Sequence, residues 1–330
     1  MRPVSVPLER STTWPYENGE VGAFSYSRFS SPAVAEAERA LGELDGGEAL
    51  LFASGTAAAT ALVLALLEPG RTIALAEGAY YGTSVLFGEL ARWGLRHVEF
   101  DQTGPPPEAD LVWLEAPSNP FLTMPDFEAA AAQGAPVLCD STASTPVFLR
   151  PLERGCELVL HSATKFLTGH DDALLGAVIC KTSETAARLR EFRDRTGAVA
   201  AADVAWLLLR SLPTLELRVQ RQTASARVIV ERLGEHPAVK VVRYPGFGGL
   251  LSFDVADAEA ARRVETTTRV IANMTSLGGV TSRIEARSRW EGDRVPAGLL
   301  RLSVGVEDPE ALWADLAQAL DTANRFAATR

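Results

Sequence analysis

The sequence predicts an α/β protein, with a mostly parallel sheet in a large domain and a smaller C-terminal α+β domain. Short apolar runs of strand length alternate with Ala- and Leu-rich helical patterns, which is typical of a sheet covered by helices. The runs are apolar at successive positions, as expected for strands buried on both faces. With 330 residues, 47% hydrophobic and 22% charged, the chain is long enough for two domains.

The first part of the chain predicts an arm followed by two helices. Residues 1–30 are rich in Pro, Ser, Thr and aromatic residues without a clear period, so we expect an extended arm. Ser31 and Pro32 then give the N-cap and first-turn signals of a helix that ends near Leu44. The apolar run 57–67 is too short to cross a bilayer and predicts a buried helix.

The remainder predicts the strands of the large domain and then the small domain. The expected strands are 72–76, 97–100, 111–116, 136–140, 157–161 and 173–180. A long helical pattern at 203–233, interrupted around Pro213, leads into further strand patterns, a helix near 257–270 and a last helix at 308–324. We therefore expect an arm and helix in 1–44, a large domain in 45–211 and a smaller domain in 212–330.

Charge and cysteine content narrow the classes of function. A formal net charge of −10 argues against nucleic-acid and anionic-membrane partners, because both need a basic face. The N-terminus lacks the apolar stretch of a signal peptide, and the three cysteines show no CxxC spacing, which fits a cytoplasmic protein. Four widely spaced histidines predict no metal site.

Ligands of open parallel sheets bind at the carboxyl ends of the strands, so the residues after each strand are candidates. Ser54, Gly55 and Thr56 precede the buried helix, where backbone N–H groups and the helix dipole suit a phosphate. An ordinary helix N-cap is the alternative interpretation of these three residues.

Lys165 follows the strand 157–161 in the segment HSATKFLTGH, an unusual place for a solvated ammonium. Ser162 and Thr164 flank it and offer hydroxyl groups to an anion or to a turn. Asp140 ends the preceding strand, where a buried carboxylate needs a cationic or donor partner, and a structural ion pair is the alternative. Tyr80 follows the strand 72–76 and would otherwise be a packing residue.

Together these residues predict a site for pyridoxal 5′-phosphate. That cofactor needs a lysine for a Schiff base, a carboxylate at the ring nitrogen, a phosphate cradle and usually an aromatic residue on the ring face. Asp140 and Lys165 follow successive strands, and the candidate phosphate helix lies upstream. A nicotinamide cofactor is disfavoured, because no GxGxxG motif opens a helix after a strand.

The chain resembles the Cys/Met-metabolism pyridoxal-phosphate enzymes of fold type I, which include cystathionine γ-synthase, cystathionine γ-lyase, cystathionine β-lyase and methionine γ-lyase. The lysine segment HSATKFLTGHDD is similar to the family signature almost residue for residue. The resemblance continues in order along nearly the whole chain, through YSRFSSP, ASGTAA, YYGT, EAPSNP, CDSTASTP, GFGGLLSF, SLGGVTSRIE and LLRLSVGVED.

The resemblance implies a role for each matching residue. Lys165 would carry the cofactor and move protons, and Tyr80 would stack on the ring. The cofactor's ring nitrogen and phosphate would be held by Asp140, Gly55, Thr56, Ser162 and Thr164. Tyr26 and Arg28 of the arm would complete the phosphate site of a neighbouring subunit in a homotetramer built from two dimers.

For the amino-acid substrate, the resemblance implies a second set of residues. Arg301 would bind the α-carboxylate with help from Ser276, and a planar guanidinium suits that bidentate contact. Asn119 would lie near the ring and the substrate. The implied reaction is β- or γ-elimination or γ-replacement on a sulfur-containing amino acid or an O-acylhomoserine, in amino-acid sulfur metabolism.

Several departures from the family pattern surround the distal end of the substrate. Thr275 stands where cystathionine-handling relatives often have a glutamate. Gly82 stands where methionine γ-lyases have a reactive cysteine if Tyr80 is the stacking residue; an alignment that places Tyr81 there is the poorer alternative. Arg287 follows Ala286 where relatives usually have a His-Pro pair. We expect cystathionine γ-lyase or γ-synthase type activity; methionine γ-lyase or cystathionine β-lyase specificity, or a regulatory homologue that binds the cofactor, are the alternatives.

Overall fold

The computed structural model describes residues 6–328, so positions 1–5 of the predicted arm lie outside the described residues. The chain forms two compact units. The first contains the residues up to Ala116 together with Pro125–Pro213, and the second contains Pro117–Met124 together with the residues from Thr214 onward. The segment that carries Asn119 therefore belongs to the second unit, although it is surrounded in sequence by the first.

The first unit is built on a sheet that has seven strands within the described part of the chain, in the order β1-β7-β6-β5-β4-β2-β3. The strands are β1 (Glu48–Phe52), β2 (Thr72–Ala76), β3 (Arg96–Phe100), β4 (Leu111–Glu115), β5 (Val137–Asp140), β6 (Leu158–His161) and β7 (Gly176–Cys180). Strands β2 to β6 pair in parallel, and β7 runs antiparallel to both β6 and β1. The predicted mostly parallel sheet is thus confirmed.

Helices connect and cover these strands. They are α1 (Pro32–Asp45), α2 (Gly55–Leu66), α3 (Tyr81–Leu90), α4 (Phe127–Ala131), α5 (Thr145–Phe148), α6 (Ser183–Thr196) and α7 (Ala202–Ser211). The core of this unit lies between α2 and the sheet, where Leu62, Leu75 and Trp113 are fully buried. Burial on both faces explains why the strands other than β3, which is exposed or half-buried along its length, are apolar at successive positions.

The second unit pairs strands in the order β10-β11-β12-β9-β8 within the range 214–328. Its elements are α8 (Leu215–Glu235), β8 (Val241–Arg243), β9 (Leu250–Asp254), α9 (Ala258–Thr267), β10 (Ala272–Asn273), β11 (Arg283–Ala286), α10 (Ser288–Glu291), β12 (Leu299–Ser303) and α11 (Pro309–Ala328). Strand β12 lies between β11 and β9 and is antiparallel to both. A residue at the middle of β12 is therefore flanked by side chains from two neighbouring strands.

The sequence prediction missed β1, which pairs antiparallel with β7 at one edge of the first sheet. Its five residues, EALLF, are short and follow Gly46-Gly47 directly, so they carry little periodic signal. The helical pattern around Pro213 is divided as expected, since α7 ends at Ser211 and α8 begins at Leu215. No helix among residues 6–328 has the length and apolar character needed to span a membrane.

Candidate active site

Four neighbouring parallel strands of the first unit end at the same edge of its sheet. Strands β6, β5, β4 and β2 are adjacent, and their last residues are His161, Asp140, Glu115 and Ala76. Carboxyl ends of parallel strands are the usual ligand site of such sheets. The candidate lysine, carboxylate and aromatic residues follow three of these four strands.

Lys165 lies in a turn directly after β6. Its amide donates to the Ser162 carbonyl at 3.0 Å, and its own carbonyl accepts from the Gly169 amide at 2.7 Å. Lys165 is half-buried. This turn holds the backbone of Lys165 at the end of the sheet.

The N-terminus of α2 faces the same turn. Ser54 is the N-cap: its hydroxyl accepts from the Ala57 amide at 3.0 Å, and its carbonyl accepts from the Ala58 amide at 2.9 Å. The amides of Gly55 and Thr56 precede these two in the first turn, where a helix offers no carbonyl partner. Ser54 is thus confirmed as a helix N-cap, and phosphate binding by the next two amides stays a prediction.

Gly55 approaches Ser162 closely. A Cβ atom at Gly55 would lie 3.0 Å from the Ser162 Cβ and 3.1 Å from its hydroxyl oxygen. A larger residue at this position would require Ser162 to shift by a few tenths of an ångström, so glycine allows the closest approach of the helix N-terminus and the lysine turn. The backbone amides and the Ser162 hydroxyl at this contact suit the phosphate of pyridoxal phosphate. Lys165, three residues after Ser162, suits its carbonyl end.

Asp140 is linked to the lysine turn through Thr142. The Thr142 hydroxyl donates to Asp140 Oδ1 at 2.5 Å and accepts from the Ser162 amide at 2.8 Å, while the Thr142 amide donates to Asp140 Oδ1 at 3.0 Å. Burial raises the pKa of Asp140, and the Thr142 hydrogen bonds and the charge of His161 oppose that rise. A protonated ring nitrogen would supply the cation that this carboxylate needs.

Tyr80 is fixed by its backbone and by a glycine. Its amide donates to Glu115 Oε2 at 2.6 Å, which ties the start of α3 to the end of β4. Its ring lies edge-on to Tyr81 with centroids 5.0 Å apart, and it covers Gly82 so closely that a Cβ there would lie 2.4 Å from the ring. The ring is 40% exposed, so its outer part can contact a ligand.

The second unit gathers the predicted substrate residues around Arg301 in β12. Arg301 Nη1 donates to Asn119 Oδ1 at 3.1 Å, and Nη2 donates to the Ser276 carbonyl at 3.0 Å and to Glu285 Oε2 at 3.0 Å. Arg301, Asn119 and Glu285 are all buried. Glu285 lies directly opposite Arg301 in the antiparallel pair of β11 and β12.

Thr164 makes the turn contact that the sequence left open as an alternative, and Arg28 makes a contact that the sequence did not suggest. The Thr164 hydroxyl donates to the Leu175 carbonyl at 3.1 Å and accepts from the Leu175 amide at 2.9 Å, so its single proton is already used in the turn. Arg28 donates to the Asp194 carbonyl at 2.6 Å, and its guanidinium lies 5.5 Å from the centre of the Tyr26 ring. Arg28 is thus bound to α6 of its own chain.

The sequence interpretation missed several residues that hold the predicted ones. Glu115 binds the Tyr80 amide, Thr142 joins Asp140 to Ser162, and Glu285 binds Arg301. Glu115 and Thr142 could have been found, because both are polar residues at the ends of buried strands. Glu285 gave no such signal, since its partner comes from a strand 16 residues away.

Known proteins are similar to this chain over nearly all of its length. Residues 1–321 match the model of the family described as Cys/Met metabolism PLP-dependent enzyme. A putative cystathionine gamma-lyase of Streptomyces coelicolor is 38% identical over 91% of this chain and 84% of its own, and an L-methionine gamma-lyase of Streptomyces avermitilis is 38% identical over 96% and 84%. The crystal structure of cystathionine gamma synthase from Xanthomonas oryzae pv. oryzae, with aminoacrylate and cysteine, superimposes with a TM-score of 0.92 at 31% identity, covering 98% of this chain and 94% of that one.

Proposed function

Because the chain belongs to the Cys/Met metabolism PLP-dependent enzyme family, we propose that it makes or breaks the bond between Cγ and sulfur of cystathionine. The family carries out pyridoxal-phosphate-dependent elimination and replacement on sulfur-containing amino acids, and this chain is such an enzyme. In one direction, cystathionine and water would give cysteine, 2-oxobutanoate and ammonia. In the other, O-acylhomoserine and cysteine would give cystathionine and a free carboxylic acid.

The observation that carries this choice is the contact between Tyr80 and Gly82. Methionine γ-lyases have a cysteine at the position that Gly82 matches, but a Cβ there would lie 2.4 Å from the Tyr80 ring. Any side chain at this position requires the ring to move. The ring orientation of this chain therefore favours cystathionine-type over methionine-type chemistry.

Residues of the first unit would bind the cofactor and move protons. Bound pyridoxal phosphate supplies a carbonyl group for the substrate amine and an electron-withdrawing ring that stabilises negative charge at Cα. The Asp140 carboxylate would hold the proton of the ring nitrogen, and the amides of Gly55 and Thr56 would bind the phosphate. Lys165 Nζ, once displaced by the substrate amine, would take the Cα proton as a general base.

The remaining roles are proposed for Ser162, Tyr80 and the second unit. The Ser162 hydroxyl would donate a hydrogen bond to the phosphate. Tyr80 would stack on the ring and assist proton transfer at the leaving group. In the second unit, Arg301 would bind the substrate α-carboxylate with its guanidinium, held in place by Asn119 and by the Ser276 carbonyl.

Absorbance of the purified protein tests the lysine assignment. Wild-type enzyme with pyridoxal phosphate is expected to absorb near ~420 nm, the region of a protonated Schiff base, and Lys165→Ala is expected to lose this band. Lys181→Ala is the matched control, since Lys181 is exposed at the end of β7 and should keep the band. A band that persists in Lys165→Ala would disprove the assignment.

A substrate panel tests the reaction. Cystathionine, O-acylhomoserine with cysteine, methionine, homocysteine and cysteine are assayed for 2-oxobutanoate, pyruvate and cystathionine. We expect 2-oxobutanoate with cysteine from cystathionine, or cystathionine from O-acylhomoserine. Pyruvate with homocysteine from cystathionine would show cleavage on the β side, and a higher kcat/KM for methionine would show methionine γ-lyase specificity.

We also propose that the protein is a cytoplasmic homotetramer built from two dimers. Tyr26 and Phe29 of the arm are 42% and 47% exposed, which suits a surface covered by a second copy of the chain. The three cysteines are free and buried, and burial raises the pKa of Cys156 and Cys180 to about 12, as fits a reducing compartment. Two measurements on wild type and Arg28→Ala test the assembly: sedimentation, and the affinity for pyridoxal phosphate. A wild-type monomer that binds pyridoxal phosphate with full affinity would contradict the proposed tetramer.

A further inference from the structure

Four buried side chains of alternating charge form a continuous row that begins at Arg301. We call Arg301, Glu285, Arg287 and Glu291 the buried charge row. Glu285 Oε2 accepts from Arg301 Nη2 at 3.0 Å and from Arg287 Nη1 at 2.6 Å. Arg287 then contacts Glu291 Oε1, with Nη2 at 2.8 Å. The exposed fraction of each side chain is at most 5%, so water screens these charges little.

The shared oxygen of Glu285 is the critical feature of the row. Because Oε2 serves both guanidinium groups, the negative charge of Glu285 is divided between Arg301 and Arg287. The other oxygen, Oε1, accepts from the Trp290 indole at 2.6 Å. The charge of Arg301 acts as far as Glu291, at the other end of the row. Burial raises the pKa of Glu291, and Arg287 and, more weakly, Arg301 oppose the rise.

Without Arg287, Glu285 would pair with Arg301 alone. A carboxylate substrate approaching Arg301 would then meet a guanidinium whose charge is neutralised by Glu285, and it would be repelled by the Glu285 carboxylate, 3.0 Å from Nη2. With Arg287 present, Glu285 is compensated from the other side, and Arg301 keeps positive charge for an incoming anion.

We propose that Arg287 is a positioning residue for substrate binding, which neutralises Glu285 so that Arg301 remains available to the substrate α-carboxylate. The inference rests on the proposed carboxylate-binding role of Arg301. Arg287 acts through Glu285 and Arg301, and we assign it no direct contact with substrate.

Two amines that differ only in a carboxylate separate this role from a merely structural one. L-2-aminobutanoate has the carboxylate but no leaving group, whereas 1-aminopropane has the same carbon chain without it. Both are titrated against the holoenzyme, and the absorbance of the bound cofactor reports binding. For Arg287→Met we expect about 10- to 100-fold weaker binding of L-2-aminobutanoate, with 1-aminopropane unchanged within about 2-fold.

Three further variants sharpen the test. Arg287→Lys retains the charge and is expected to keep most of the affinity. Combining Arg287→Met with Glu285→Gln removes the uncompensated carboxylate and should restore binding to within about 3-fold of wild type. Arg289→Met is the matched control, because Arg289 also pairs with a buried glutamate, Glu265, but lies outside the row. This variant should lower the unfolding temperature without weakening the binding of L-2-aminobutanoate.

The outcomes distinguish the inference from the proposed function. If wild type binds both amines equally well, Arg301 does not select a carboxylate, and the assignment of Arg301 and this inference both fail. If wild type prefers L-2-aminobutanoate but Arg287→Met weakens both amines equally, or Glu285→Gln does not rescue it, only the inference fails. An affinity loss in Arg289→Met equal to that in Arg287→Met would also overturn the inference.

Discussion

The imidazole of His161 and the carboxylate of Asp45 form a fully buried pair, with Nε2 lying 3.0 Å from Oδ2. Asp45 is the last residue of α1, and His161 is the last residue of β6. Burial by itself would lower the pKa of His161, but the charges of Asp45 and Asp140 outweigh it and the pKa is raised. A histidine with a raised pKa thus lies at the strand end that precedes the candidate lysine.

This pair predicts a pH-dependent contribution to stability. A histidine whose pKa is raised on folding stabilises the protein below about pH 6.5, its unfolded pKa, and this contribution is lost as the pH rises through the folded pKa. His161→Gln, which leaves Asp45 uncompensated, is expected to lower the free energy of unfolding by about 3–5 kcal/mol at pH 6 and by less at pH 9. Urea unfolding of the cofactor-free protein measures both values, and an equal loss at the two pH values would contradict the prediction.

We expect Asp140→Asn to raise the stability of the protein and to lower its activity. Because the pKa of Asp140 is raised, any stability that it contributes is present at low pH and is lost as the pH rises through the folded pKa. Asp140→Asn should therefore raise the unfolding temperature of the cofactor-free protein by about 2–4 °C at pH 8, and by less at pH 5. The same variant should lose about 10²- to 10³-fold in kcat, because the ring nitrogen loses its anionic partner. If the unfolding temperature of Asp140→Asn, relative to that of wild type, is lower at pH 8 than at pH 5, the explanation is refuted.

Two glycines of α3 give a matched test of the Tyr80 orientation. A Cβ at Gly82 would collide with the Tyr80 ring, whereas a Cβ at Gly88 would meet no atom within 4 Å. Gly82→Ala is expected to lower kcat/KM by about 10-fold or more by displacing the ring. Gly88→Ala should leave activity unchanged and stabilise the protein by about 0.5–1 kcal/mol, since alanine favours a helix interior. Equal activities of the two variants would show that the ring position does not matter.

Gly55 predicts a selective loss of cofactor affinity. Gly55→Ala places a methyl group against Ser162 at the candidate phosphate cradle, so the helix N-terminus and the lysine turn must separate. We expect about 10-fold weaker binding of pyridoxal phosphate, measured by equilibrium dialysis, without a lower unfolding temperature of the cofactor-free protein. Gly234→Ala, where a Cβ meets nothing within 4 Å, is the control. Unchanged affinity in Gly55→Ala would place the phosphate elsewhere.

The strands that carry site residues could be predicted because they are buried on both faces. Strand 72–76 matches β2 in full, and β4, β5 and β6 each lie within the predicted 111–116, 136–140 and 157–161. Strand β1 was missed, because its antiparallel pairing with β7 is specified by residues 124 positions or more away. Local periodicity cannot report a pairing of that kind.

The sequence by itself determined the fold class, the family and the candidate residues Lys165, Asp140, Tyr80 and Arg301, because apolar patterning and motif order are local properties of the chain. Only the tertiary structure decided which groups hold them. Glu115 binds the Tyr80 amide, and Thr142 joins Asp140 to Ser162. Glu285 lies between two arginines, one of them on the neighbouring strand. The effect of these contacts on charge and position depends on distances and burial, which are set when distant segments pack and exclude water.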